Sequence, residues 1–187
     1  MNISISQINK NETLRYLGYS GQDISESLQI QLNETLAAVL EAARPRGTVR
    51  YCDGEIYFAA TLGAEVDRLI MKYQAVDMGR AVIADAAASA LIEQACDALQ
   101  EEAGKNLCNM EITGRVSPGY GDWPLADQRR LILLMDAERQ IGLTLTEGGM
   151  LCPIKSVTGK FITGGGNKNC ESCESRDTCK FRRKEND

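Results

Sequence analysis

Residues 115–161 read RVSPGYGDWPLADQRRLILLMDAERQIGLTLTEGGMLCPIKSVTGKF. A strand-like start at Arg115 and Val116 runs into a segment punctuated by Pro118, Gly119, Gly121 and Pro124. Proline presets a turn's backbone and glycine accepts positive φ, so this is a loop. Leu125 or Asp127 is expected to open a helix behind Pro124. The run LILLM at 131–135 is apolar nearly all round, which predicts a well-buried helix that ends at Gly142. Two β-type runs follow, 143–146 and 156–163, and are expected to pair as a hairpin around Gly148-Gly149 and Pro153. A helix set between strands in this way requires a mixed fold.

Upstream, Asp23 and Glu26 have capping-box spacing before Ile24, Leu28, Leu32, Leu36 and Leu40, a single slowly drifting face that predicts a helix ending before Pro45 and Gly47. Residues 48–52 and 55–60 are rich in β-branched and aromatic types and are split by Asp53-Gly54, a two-residue hairpin signal. Val66, Leu69, Ile70 and Tyr73 make one stripe of a helix over 64–76. The alanine-rich run 80–103 predicts a central helix able to approach its neighbours closely, with Asp85 and Glu93 most simply read as solvated. The N-terminal Ile3, Ile5 and Ile8 suggest a short strand. Together the order implies an α+β fold, a twisted antiparallel sheet with helices packed against it, over residues 1–166, followed by a Cys-rich basic tail at 167–187.

The chain has 187 residues with 43% hydrophobic and 25% charged residues, the composition of one soluble globular domain. A net charge of −5 argues against a general nucleic-acid binder, which needs a surplus of cations for phosphate contacts. No apolar run approaches the roughly 20 residues that cross a bilayer, and the N-terminus lacks a basic start and an apolar core for export. The seven cysteines are therefore expected as reduced thiols in a cytoplasm, with Cys52, Cys96 and Cys108 as small core residues. The complete absence of histidine excludes Ser-His-Asp and Cys-His catalysis and mixed Cys/His zinc sites.

Two loops carry residues suited to a ligand. The first, Arg115 to Pro124, offers a guanidinium for a carboxylate, a rigid Pro-Gly turn whose backbone can be approached closely, and the aromatic face of Tyr120. The second places Thr146, Glu147, Lys155 and Ser156 near strand ends. Either loop also reads as an ordinary connection with exposed polar residues.

In order along the chain stand Arg115, Pro118-Gly119-Tyr120, Pro124, the helix, Ile141-Gly142-Leu143-Thr144-Leu145-Thr146-Glu147, Pro153 and Ser156-Val157-Thr158-Gly159. This succession resembles the activation domain of cobalamin-dependent methionine synthase, a family that binds S-adenosylmethionine. Gly148-Gly149 departs from the Ser-containing continuation usual there, and the N-terminal half resembles the family only through its helices and Glu93. The resemblance implies a shallow groove at the sheet edge. Arg115 would pair with the methionyl carboxylate, the Pro118–Tyr120 backbone would hold the adenosine, and Glu93 would face the amino end. Thr146, Glu147 and Ser156 would add contacts from the second loop. It further implies reductive methylation of cob(II)alamin carried by a separate corrinoid protein or methionine synthase core, with an electron donor such as flavodoxin or ferredoxin. The domain would supply no acid or base and would position the methyl donor.

Cys170-x-x-Cys173 and Cys179 in the tail are close enough for thiolates to converge on one zinc or iron–sulfur centre, with Cys152 or a partner completing the ligands. That motif supports an alternative: a corrinoid-methyltransferase accessory or electron-relay factor. A tail with incidental cysteines is the remaining reading.

Overall fold

The computed structural model describes residues 1–19, 21–105 and 112–164. In chain order they form α1 (Lys10–Tyr16), α2 (Glu26–Ala42), β1 (Arg46–Cys52), β2 (Glu55–Thr61), α3 (Ala64–Val76), α4 (Met78–Lys105), β3 (Ile112–Val116), a 3-10 turn (Leu125–Asp127), α5 (Gln128–Leu134), α6 (Ala137–Ile141), β4 (Thr144–Leu145), β5 (Leu151–Cys152) and β6 (Ser156–Thr163). The main sheet has the order β1-β2-β6-β3 with antiparallel pairings throughout, as an α+β chain of this pattern requires.

The Asp53-Gly54 turn forms as expected, with φ of 53° and 77° at its two central residues, the positive values that match a tight turn to strand twist. α4 lies across one face of the sheet. Its Ala84, Ala87, Ala88, Leu91, Ala95 and Leu99 are buried against Ile56, Phe58, Ala60 and Phe161, and Phe58 stacks on Phe161 with centroids 4.4 Å apart. Small residues on both sides bring the layers together: a Cβ on Gly47 would stand 2.5 Å from Leu99 Cδ1. The opposite face is covered by Ile132, Met135, Ala137, Ile141 and Leu143 packed on Ala59 and Tyr57.

Several local expectations change. α2 is capped by Ser25, whose side chain accepts from Leu28 N, rather than by Asp23. α1 is an unexpected helix, opened by Asn9 accepting from the Glu12 amide. Ile3 and Ile8 are buried, but the N-terminal segment makes only a bridge, Asn2 to Arg46, rather than a strand. The helix expected up to Gly142 breaks at Asp136, which is left-handed (φ 48°), into α5 and α6, and Leu133 is exposed. The second β run does not pair with the first. β4 pairs with β5, while β6 enters the main sheet between β2 and β3. Cys96 is buried but Cys52 sits half-exposed at the β1 turn, and Cys108 lies outside the described residues.

Candidate functional site

Register decides where Arg115 points. It pairs with Phe161 across β3 and β6, and Phe161 faces α4, so strand alternation sends the Arg115 side chain to the α4 side at the sheet edge. There Glu93 and Asp97, one helical turn apart on α4, both receive it: Nη2 donates to Glu93 Oε2 at 2.5 Å and Nη1 to Asp97 Oδ1 at 2.6 Å. Glu93 is thus paired rather than simply solvated. Asp85 likewise pairs with Lys155 at 2.9 Å, and the Lys155 ammonium also donates to Ser89 Oγ.

The Arg115 side chain is 19% exposed. Burial alone would loosen its proton, but the carboxylates of Asp97 and Glu93 outweigh that, and the group is held more firmly protonated than a free guanidinium. Beneath the pair, burial pushes the Cys96 thiol up to about 12, so it is neutral and inert near pH 7.

Beyond β3 the chain forms a compact turn. Gly119 N donates to Trp123 O at 2.8 Å and Tyr120 N to Ser117 O at 3.2 Å, so these amides are spent within the loop and its carbonyls are what it can offer a ligand. Gly119 has φ 91°, a conformation that side chains other than glycine resist. Pro118 is buried, and Tyr120 stands 72% exposed. Trp123 is held by Nε1 donating to Asp127 Oδ2 and lies against the Lys160 ammonium, 5.5 Å from the ring centre.

The remaining expected residues lie elsewhere. Thr146 closes the β4–β5 turn, its Oγ1 accepting from Met150 N at 3.1 Å, and Glu147 is exposed at the tip of that turn. Ser156 Oγ is hydrogen-bonded to Thr61 Oγ1 (2.8 Å) and to the Pro153 carbonyl (2.7 Å). It begins β6 roughly 16 Å along the strand from the Arg115 partner Phe161. The structure therefore brings Glu93, Arg115 and the Pro118–Tyr120 turn to one sheet edge, with Thr146 and Ser156 engaged in shaping loops. Asp97 was missed by sequence reasoning. Its signal was the i, i+4 spacing from Glu93, which puts the two carboxylates on one face of the alanine-rich helix.

Among the described residues no cluster of three or more metal-ligating side chains occurs, and Cys152 is exposed on β5. Cys170, Cys173 and Cys179 lie outside the described residues. No helix among the described residues is long and apolar enough to cross a membrane.

The fold is similar to a solved structure described as the crystal structure of the MetH reactivation domain bound to AdoHcy. The TM-score is 0.62 at 18% sequence identity, covering 83% of this chain and 73% of that one. The family described as vitamin B12 dependent methionine synthase, activation domain, matches residues 46–170, which take in the whole sheet, α4, Arg115 and both loops. The chain belongs to the activation-domain family of vitamin B12-dependent methionine synthase.

Proposed function

We propose that the chain binds S-adenosylmethionine at the β3 edge and positions it for reductive methylation of a cobalamin carried by a corrinoid-binding partner, as in a divided methionine synthase. The observation that carries this reading is the Arg115 guanidinium, fixed between Glu93 and Asp97 on the strand that leads into the turn bearing the exposed Tyr120. Family membership supports it. So does the AdoHcy bound to the similar MetH reactivation domain, since S-adenosylhomocysteine is S-adenosylmethionine without its methyl group.

The residues present suit such a ligand. Arg115 is a fork for the α-carboxylate, and Glu93 is a counter-charge for the α-ammonium. The Pro118 and Gly119 carbonyls can accept from an adenine amine, and Tyr120 offers a flat face. When bound, S-adenosylmethionine would supply a methyl group to the partner's cobalamin once that had taken one electron from a donor such as flavodoxin or ferredoxin, with S-adenosylhomocysteine as the leaving group. The chain's own part is binding and orientation of the methyl donor.

Titration calorimetry with S-adenosylmethionine tests the reading. The wild type should bind, and Arg115→Ala should weaken binding by roughly 30-fold or more, the loss expected for a charged pair to a carboxylate. No binding by the wild type, or equal binding by the variant, refutes it. Adding cob(II)alamin, a reductant and a corrinoid protein, and following methylcobalamin by its absorption, then tests the transfer.

A further inference from the structure

Two carboxylates share the Arg115 guanidinium, and they are not equivalent. Glu93 is 32% exposed and Asp97 53% exposed, so Asp97 holds the solvent side of the pair. Any carboxylate approaching Arg115 from solution meets both. Both terminal nitrogens of the guanidinium are already engaged, Nη1 by Asp97 and Nη2 by Glu93, so a ligand carboxylate that forks onto them competes with a carboxylate in place. One of the two must withdraw. Asp97 is free to do so, because rotation about its Cα–Cβ bond carries the carboxylate into water, whereas Glu93 is the more enclosed.

We infer that Asp97 is an internal competitor for the ligand carboxylate, an inference that rests on the proposed reading of Arg115 as the carboxylate anchor. Asp97 holds Nη1 and keeps the guanidinium extended towards α4. The α-carboxylate of S-adenosylmethionine takes Nη1 as Asp97 swings away, and Glu93 stays on Nη2 and keeps the fork aimed. Asp97 is thus a residue that sets affinity and selects for ligands able to displace it, which a ligand lacking a carboxylate cannot do. The two helix carboxylates then have opposite effects on binding although both are ion-paired to the same arginine. A purely structural role for the trio gives both the same sign.

The test compares S-adenosylmethionine with decarboxylated S-adenosylmethionine by calorimetry on the wild type, Asp97→Asn, Asp97→Ser and Glu93→Gln, with thermal melts to establish folding. Removing the competing charge should tighten S-adenosylmethionine binding by about three- to tenfold, the range of a partly exposed ion pair. Neither Asp97 variant should tighten binding of the decarboxylated compound, and Glu93→Gln should weaken binding of S-adenosylmethionine. Unchanged or weaker S-adenosylmethionine binding in both folded Asp97 variants overturns the inference. So does an equal gain for the two compounds. Failure of the proposed function reads differently: there the wild type does not bind S-adenosylmethionine, or Arg115→Ala binds it as well as the wild type.

Discussion

The two faces of the main sheet handle neighbouring cations in different ways. Arg115 pairs with Phe161 and Val116 with Lys160, so alternation sends Arg115 to the α4 side and Lys160 to the α5–α6 side. Arg115 is tied across layers to Glu93 and Asp97 of a long helix. Lys160 is tied within the sheet, to Glu55 of β2 at 2.5 Å, with Tyr57 donating to the same carboxylate at 2.8 Å. The cause is what covers each face. On one side small residues let a single helix, Met78–Lys105, lie close enough for its carboxylates to reach a strand side chain. On the other the cover is two short helices broken at Asp136, with Leu125 and Leu133 exposed. The α4 face is a tight scaffold that aims a guanidinium, and the α5–α6 face is a looser cover with its charges neutralised beneath it.

The largest expected difference between the faces is in thiol reactivity. Cys96 is fully buried on α4, and burial pushes its thiol up to about 12, whereas Cys152 is exposed on β5. Alkylation of the native protein with iodoacetamide at neutral pH, followed by peptide mass spectrometry, should label Cys152 to completion while Cys96 stays largely unlabelled, since the thiolate is the nucleophile and burial both shields the Cys96 sulfur and keeps its thiol protonated. Comparable rates would show that the α4 face opens readily.

Packing density should separate the faces next. A Cβ on Gly159 would collide with the Val116 carbonyl oxygen and the Phe58 ring, in the middle of the sheet under α4. Gly148, in the β4–β5 turn on the looser side, would bring a Cβ only to ordinary contact with Thr146 Oγ1 at 3.9 Å. Gly159→Ala should cost about 3 kcal/mol and lower the melting temperature by roughly 10 °C, while Gly148→Ala should stay within about 0.5 kcal/mol of the wild type. Equal effects would mean that the close approach of β3 to β6 does not govern the α4 face.

What could be read before folding follows from the range of each signal. Asp53-Gly54 and the alanine run of α4 are local, and both formed where expected. The partner of β6 was not local. Its alternation marks a strand over 156–163, but its place between β2 and β3 depends on contacts about 100 residues apart in sequence, which no turn encodes. The break at Asp136 hides because a single left-handed aspartate leaves the apolar pattern of 131–141 intact. α1 hides because its seven residues are too short for a periodic stripe. At the site, Arg115 and its turn were visible as residue types that packing alone explains poorly. Asp97 was not, because a second carboxylate on a helix face reads as solvated until a strand places an arginine beside it.

The smallest effect belongs to the in-sheet charge cluster, and it carries a sign in pH. Hydrogen bonds from Lys160 first and Tyr57 second hold the Glu55 carboxyl below the usual glutamate range, and the same Glu55 contact pushes the Tyr57 hydroxyl up. The folded state thus favours ionised Glu55 more than the unfolded chain does. Its contribution is present above the unfolded value of about 4.3 and is lost as pH falls through the lower folded value. Because Glu55 is 40% exposed, that contribution is below about 1 kcal/mol and is screened by salt. Urea midpoints of the wild type and Glu55→Gln should differ slightly at pH 7 in low salt. The gap should close as the pH is lowered below the unfolded carboxyl range, and also in about 1 M sodium chloride. A gap that persists under both conditions would mean that Glu55 acts by packing rather than by charge. The two faces would then differ in how tightly they pack and not in how they hold their charges.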